Sequence, residues 1–188
     1  MDIDSELKKV ECLLGALAWC SDEHQYDALL TMIRQTLDPY VRGSHPRALW
    51  LKSGMPNLGL DAVLSEEDFL SEYTELVRTA AEGGCPEAQY KYGCSLYDEG
   101  KVEAAVNLYF QAAQADYAPA QWCYGLDVLN GNGINQNERE GLAYIRLAAE
   151  QRYEDAVAFL VDAYQEKKYG FDDEVELRKW KAILPQCE

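Results

Sequence analysis

Cys20 and His24 stand four residues apart, which puts a thiol and an imidazole on one face of a helix. Such a pair suits a thiolate nucleophile deprotonated by the imidazole, or two ligands of a zinc site with Cys12 eight residues upstream. Neither arrangement completes itself: the nucleophile lacks an orienting third group, and the zinc site lacks a fourth ligand. Paired carboxylates occur at Asp172-Asp173-Glu174 and Glu66-Glu67-Asp68. Acids so placed near a helix start answer the positive end of its dipole, which accounts for them without acid–base catalysis. Gly131-Asn132-Gly133 is glycine-rich, but no basic residue follows to meet a phosphate, and it reads as a turn. His45 precedes Pro46 and reads as a loop residue. There is no Gly-x-Ser-x-Gly elbow, no His-Glu-x-x-His and no nucleotide fingerprint. The expectation is therefore a chain with no catalytic residues, no metal site and no cofactor. A hydrolase resting on Cys20 is the alternative from another class.

The six cysteines, at 12, 20, 85, 94, 123 and 187, form no Cys-x-x-Cys and no regular framework. They read as small buried thiols in a reducing compartment. Of 188 residues, 48% are apolar, enough for a core, and the formal charge is −16. Residues 1–63 carry 9 acids and 6 bases and residues 64–188 carry 24 and 11, so the acidity belongs to the C-terminal two-thirds. That field repels phosphate backbones and anionic membranes and favours a basic protein partner. The N-terminal stretch is not the basic start of a secretory signal, and no run approaches the roughly 20 apolar residues of a membrane span. The expected location is cytoplasmic.

These side chains need elements to hold them. Leu7, Val10, Leu14 and Leu17 recur at helical spacing, as do Tyr26, Leu29, Leu30, Ile33 and Leu37. They predict helices over about 4–20 and 22–37, the second ended by Asp38-Pro39. Residues 38–64 hold three prolines and three glycines without a sustained period, a long irregular connection in which Ser44 would cap a short helix. A further helix is expected after Ser65, with Asp68 completing a capping box, running to Glu82.

The second half repeats. Ala88-Gln89-Tyr90-Lys91-Tyr92-Gly93 returns as Ala120-Gln121-Trp122-Cys123-Tyr124-Gly125 at an offset of 32 residues. Leu108-Tyr109-Phe110-Gln111-Ala112-Ala113 returns as Tyr144-Ile145-Arg146-Leu147-Ala148-Ala149 at an offset of 36. Each unit reads as a helical hairpin. Gly93 would face Ala105, Ala112 and Ala113, and Gly125 would face Gly141, Ala148 and Ala149, small residues against small.

Ala118-Pro119-Ala120-Gln121-Trp122-Cys123-Tyr124-Gly125, Gly131-Asn132-Gly133-Ile134 and Ala143 to Ala149 together resemble the Sel-one-like repeat, a relative of the tetratricopeptide repeat. The resemblance covers about 105 residues and implies an all-α fold: a short right-handed α-solenoid of helical hairpins with an N-terminal helical extension. The expected domains are 1–64, the N-terminal helical segment with its irregular connection, and 65–188, the repeat array. Within the array lie a half-repeat at 65–84 and units at 85–117, 118–153 and 154–188. The last keeps Ala156, Tyr164 and Trp180 but has Val161 at the glycine position, as a degenerate capping unit would. Two residues past the motif glycine, where the family has Leu or Met, stand Ser95, Asp127 and Ala163. Asp127 is expected exposed at an edge or paired with a base.

In tetratricopeptide-type arrays the first helix of each hairpin lines a groove. The resemblance so implies a partner-binding set of Glu87, Tyr90, Tyr97, Asp98, Trp122, Leu126, Asp155 and Asp162, flanked by Cys94, Leu129, Asn130, Gln165 and Glu166. Tyr90 and Trp122 would be aromatic anchors inside a carboxylate rim. The expected function is a non-catalytic interaction module whose acidic groove binds a basic protein. Its sharpest form is an immunity-type inhibitor (an antitoxin) occluding a basic toxin domain; a regulatory adaptor or scaffold is the alternative.

Overall fold

The structure, a computed structural model, describes residues 2–54 and 65–183. Every regular element among them is helical. The chain divides into two compact units, residues 1–89 and 90–188.

The first unit opens with α1 (Ile3–Ala18) and α2 (Glu23–Arg42), capped by the Asp2 and Asp22 carboxylates. Leu7, Val10 and Leu17 of α1 meet Ile33 and Leu37 of α2 in one core, joined by Ala48 of α3 (Pro46–Ser53). α2 does not stop at Pro39 but runs one turn past it. Proline removes one helix hydrogen bond, at about 3 kcal/mol in a helix interior. Here Gln35, Asp38 and Pro39 are exposed, so the vacated carbonyl lies on the solvent side. Tyr40 and Val41, just beyond, pack on the core and hold the last turn helical. Ser44 likewise does not cap α3. It closes α2 in the left-handed region at φ 54°, and the His45 N–H donates to the Tyr40 carbonyl at 2.9 Å. α4 (Glu66–Glu82) starts as its capping box predicts, with Ser65 Oγ accepting from the Asp68 N–H at 3.1 Å. α3 and α4 pack together, and a β-carbon on Gly83 would fall 2.5 Å from the Pro46 ring. The part of the expected connection over 55–64 lies outside the described residues.

α5 (Pro86–Asp98) carries the boundary between the units. The second unit continues with α6 (Val102–Gln114), α7 (Ala118–Asn130), α8 (Glu138–Glu150), α9 (Glu154–Gln165) and α10 (Glu174–Lys181). One core gathers Leu96, Val106, Tyr109, Ala120, Tyr124 and Val128; a second gathers Ile145, Val157, Leu160, Val161, Tyr164 and Trp180.

A common joint explains the periodicity. Three residues separate α2 from α3, α4 from α5, α6 from α7 and α8 from α9. In each joint the middle residue, Ser44, Gly84, Asp116 or Arg152, has positive φ. The residue after it donates back to a carbonyl of the ending helix, as Cys85 N to Ala80 O (3.0 Å), Tyr117 N to Ala112 O (3.2 Å) and Tyr153 N to Ala148 O (3.1 Å). This is the 6→1 bond of a Schellman ending. Four residues on, Ala48, Ala88, Ala120 and Ala156 are each wholly buried. Gln89 and Gln121 follow two of these alanines, and their Nε2 groups donate at 3.3 Å to Ala81 O and Ala113 O, near the end of the preceding helix. The repeated Ala-Gln is thus a packing contact followed by a cap.

The motif glycines do their work by close approach, though not against small residues alone. A β-carbon at Gly125 would sit 2.9 Å from the Gly141 carbonyl oxygen and 2.8 Å from Ile145 Cγ1. At Gly93 the nearest atom is instead the Tyr109 ring, at 2.7 Å, with the Ala105 backbone behind it. The expected small-on-small contact therefore holds at Gly125–Gly141, whereas an aromatic ring fills the place at Gly93.

Candidate partner-binding surface

Of the expected set, Tyr90 on α5 and Trp122 on α7 stand at corresponding positions 32 residues apart; the matching position on α9, 36 residues further, holds Ala158, which was not among the expected residues. Tyr90 is half-buried, edge-on to Tyr117 at 5.6 Å between ring centres and tilted on Tyr109 at 5.9 Å. Burial, then the neighbouring thiols of Cys123 and Cys94, push its phenol well above the usual tyrosine range. The Tyr109 hydroxyl donates to Cys94 Sγ at 3.6 Å, and burial raises the Cys123 thiol to about 12. High-pKa thiols are poor nucleophiles. The rings and thiols of this cluster pack together as a floor.

Trp122, also half-buried, lies 5.8 Å from the Phe159 ring in an edge-on contact and 6.4 Å from Tyr153. Leu126 packs beside it on the core that α8 and α9 share. Asp155, in the first turn of α9, and Asp162, in its last, are exposed, and neither forms an ion pair among the described residues. Burial, followed by the Asp155 carboxylate, raises the Tyr153 phenol to about 12, which places Asp155 beside that ring. Tyr97 and Asp98 are exposed at the C-terminal end of α5. These seven residues all belong to the second unit.

Glu87 is the exception. It lies in the first unit and ion-pairs with Arg47, which also pairs with Glu11. The Cys85 thiol donates to Glu87 Oε2 at 3.1 Å. Burial alone would raise the Glu87 carboxyl, but Cys85, its own backbone N–H and Arg47 together hold it below the ordinary value. Burial, against the opposing Ala88 N–H, leaves the Cys85 thiol raised to about 12.

The structure also adds residues to the surface. Tyr153, Phe159 and Tyr169 extend the aromatic floor around Trp122. Tyr153 had a sequence signal, since Tyr117 stands 36 residues earlier at the same place in the joint. Phe159 had none, its counterparts being Cys123 and Lys91.

Asp127 is not exposed, and it forms no salt bridge among the described residues. It is 6% exposed in the last turn of α7, and burial raises its carboxyl to about 6. Its side-chain partner is the Asn132 amide, donating to Oδ1 at 3.4 Å, while its backbone carbonyl accepts from the Gly131 and Asn132 N–H groups at 2.8 and 2.9 Å. Residue spacing carries no hint of this because the position lines the loop side of the hairpin, where Asn132 reaches back. Gly131 and Gly133, at φ 76° and 64°, supply the left-handed turns that allow it. Cys20 and His24 do not share a helix. Cys20 sits in the turn after α1, its thiol donating to the Asp22 carbonyl at 3.4 Å, and His24 is exposed on α2. No group of three or more metal-binding side chains is assembled among the described residues. No helix among them is long and apolar enough to cross a membrane.

Hairpins joined by a constant turn, with a small-residue register and a ring-lined first-helix face, define an α-helical repeat protein. No family model matches the sequence, and no curated protein does. Solved structures do. A Sel1 repeat protein from Oxalobacter formigenes aligns with a TM-score of 0.59 at 21% identity over 70% of this chain. A protective antigen present in uropathogenic Escherichia coli strains, displaying an SLR fold, aligns with a TM-score of 0.60 at 27% identity over 79%. The chain is a helical repeat protein with the Sel1-like repeat (SLR) fold. It spans 38% and 32% of the lengths of those two chains. The SLR fold suggests a protein-interaction module.

Proposed function

We propose that this chain is a non-catalytic interaction module that uses the first-helix face of its second unit to bind a basic protein, most sharply as an immunity-type inhibitor that occludes a basic toxin domain. One observation carries the reading: a floor of half-buried aromatic rings around Trp122 is edged by Asp155 and Asp162, carboxylates with no ion-pair partner among the described residues, in a chain of net charge −16. Rings of this kind supply short-range affinity and the surrounding field supplies steering. Two perturbations separate these contributions. Screening at 0.15 M salt already confines a surface field to about 8 Å, so salt acts on association. Loss of an anchor acts on dissociation. The experiment captures proteins from the native host on the immobilised chain at low and moderate salt and measures the rates for whatever is retained. The reading expects basic proteins, association slowed by salt, and faster dissociation from Trp122→Ala. Retention of acidic proteins, or rates indifferent to both changes, overturns it. Capture of a basic protein whose own activity is unaffected would favour an adaptor over an inhibitor.

A further inference from the structure

Beyond α9 the chain takes a tight turn in which two non-glycine residues, Lys167 and Tyr169, both have φ of 54°. Left-handed backbone is unfavourable for a bulky side chain, and such a conformation persists only where its surroundings hold it. What holds Tyr169 is its ring. It stacks on Phe159 at 6.0 Å and 26°, and meets Phe171 edge-on at 6.2 Å. The turn thereby adds a ring to the row that already runs from Trp122 to Phe159. The two ends of the row differ. At one end Phe171 is covered by the chain's own Arg146, whose guanidinium lies 4.8 Å over the ring and donates to the Tyr164 hydroxyl at 2.9 Å. At the other, Tyr169 is 37% exposed and Trp122 and Phe159 half-buried; among the described residues the cations over ring faces are Arg146 on Phe171 and Lys179 on Trp180, while Lys168 acts on Tyr169 through space.

We infer that the Trp122–Phe159–Tyr169 row is the seat for an arginine side chain of the partner, its guanidinium stacked on the rings and its charge answered by Asp155 and Asp162. The inference rests on the basic-partner reading above and narrows it to one side chain. Arginine fits better than lysine because a planar, weakly hydrated guanidinium stacks on ring faces and bonds carboxylates as a fork. The chain shows the same pairing internally at Arg146–Phe171. The neighbouring cations are already engaged: Lys167 pairs with Asp172 at 2.6 Å and Lys168 pairs with Glu166, although Lys168 also acts on Asp162 through space. The carboxylate edge is thus only partly neutralised from within.

The test uses the full chain and three fluorescein-labelled peptides of equal length, one arginine-rich, one lysine-rich and one glutamate-rich, read by fluorescence anisotropy at 0.15 M salt. The informative variant is Tyr169→Gly. Glycine adopts positive φ without strain, so the backbone strain that the ring contacts had to hold disappears together with the ring. The expected results are tighter binding of the arginine peptide than the lysine peptide by about three- to thirty-fold, loss of that difference in Tyr169→Gly with an unlowered melting temperature, and its retention in Tyr169→Phe. Asp155→Asn with Asp162→Asn should weaken both cationic peptides. If the two cationic peptides bind alike and Tyr169→Gly changes neither, the arginine seat is wrong while the basic-partner reading stands. If the glutamate peptide binds best, or neither cationic peptide binds, both fail.

Discussion

Asp127→Asn should stabilise this protein at neutral pH, although it removes a charged side chain. The carboxyl ordinarily titrates near 3.8 and is raised to about 6 in the fold by burial, with only the Asn132 amide pulling the other way. It lies in the last turn of α7, where the exposed helix carbonyls also disfavour negative charge. Below pH 3.8 the group is protonated in both the folded and the unfolded chain and costs nothing. As pH rises the unfolded chain ionises first, so stability falls through the interval from about 3.8 to about 6 and then levels. At about 1.4 kcal/mol per unit of pKa, the full penalty at pH 7 is of order 3 kcal/mol, and relaxation of the loop lowers it from there. Asparagine keeps the shape and the acceptor for Asn132 without the charge. Urea denaturation followed by circular dichroism, on wild type and variant at intervals from pH 4 to pH 8, gives a difference curve in which the other titrating groups cancel. The variant's advantage should be near zero at the acid end and grow to about 1–3 kcal/mol above pH 6. A variant less stable than wild type at pH 7, or a difference flat across the range, would refute the reasoning and mean that the carboxylate has a favourable partner.

Two further outcomes follow from the packing. Gly125→Ala should lower stability by about 1–3 kcal/mol in thermal melts, because overpacking against the Gly141 backbone exceeds the roughly 1 kcal/mol alanine gains in a helix interior; a neutral or stabilising result would mean α7 and α8 can move apart. In the native protein a disulfide reagent at pH 8 should modify exposed Cys12 quickly and Cys85 and Cys123 only on unfolding, since burial raises both of the latter to about 12; rapid labelling of Cys85 or Cys123 would contradict the described burial.

The hairpin register was legible in the sequence because it is written in residues whose replacement is felt at once: wholly buried alanines, a glutamine that caps a helix end, a glycine under a neighbouring backbone. Hydrophobic spacing placed α1 and the body of α2 for the same reason. Turn chemistry was harder to read. Pro39 looked like a stop, because local preference cannot show that Tyr40 and Val41 reach a core on the far side. Ser44 looked like a start, because a serine in the left-handed region has no mark that distinguishes it from a serine that caps. Within the candidate surface, Trp122, Asp155 and Asp162 were visible through the repeat offsets. Phe159 and Tyr169 were not, since one replaces unlike residues at its register position and the other lies in a turn outside the repeat. Asp127 was misread because its burial depends on a loop folding back over it.

The three-residue joint divides the chain into places where length is free and places where it is fixed. Between the paired helices the connection is 3 residues from α5 to α6, 7 from α7 to α8 and 8 from α9 to α10. Every joint leading into the next hairpin keeps 3. An added residue in a joint would turn the following helix by about 100° about its axis and swing its buried alanine away from the core. Within the hairpins the length of the connection itself varies, so an added residue there has a precedent in this chain. Growth and loss of sequence in such a chain are therefore channelled to the connections within hairpins, where length can change without disturbing the register of the joints.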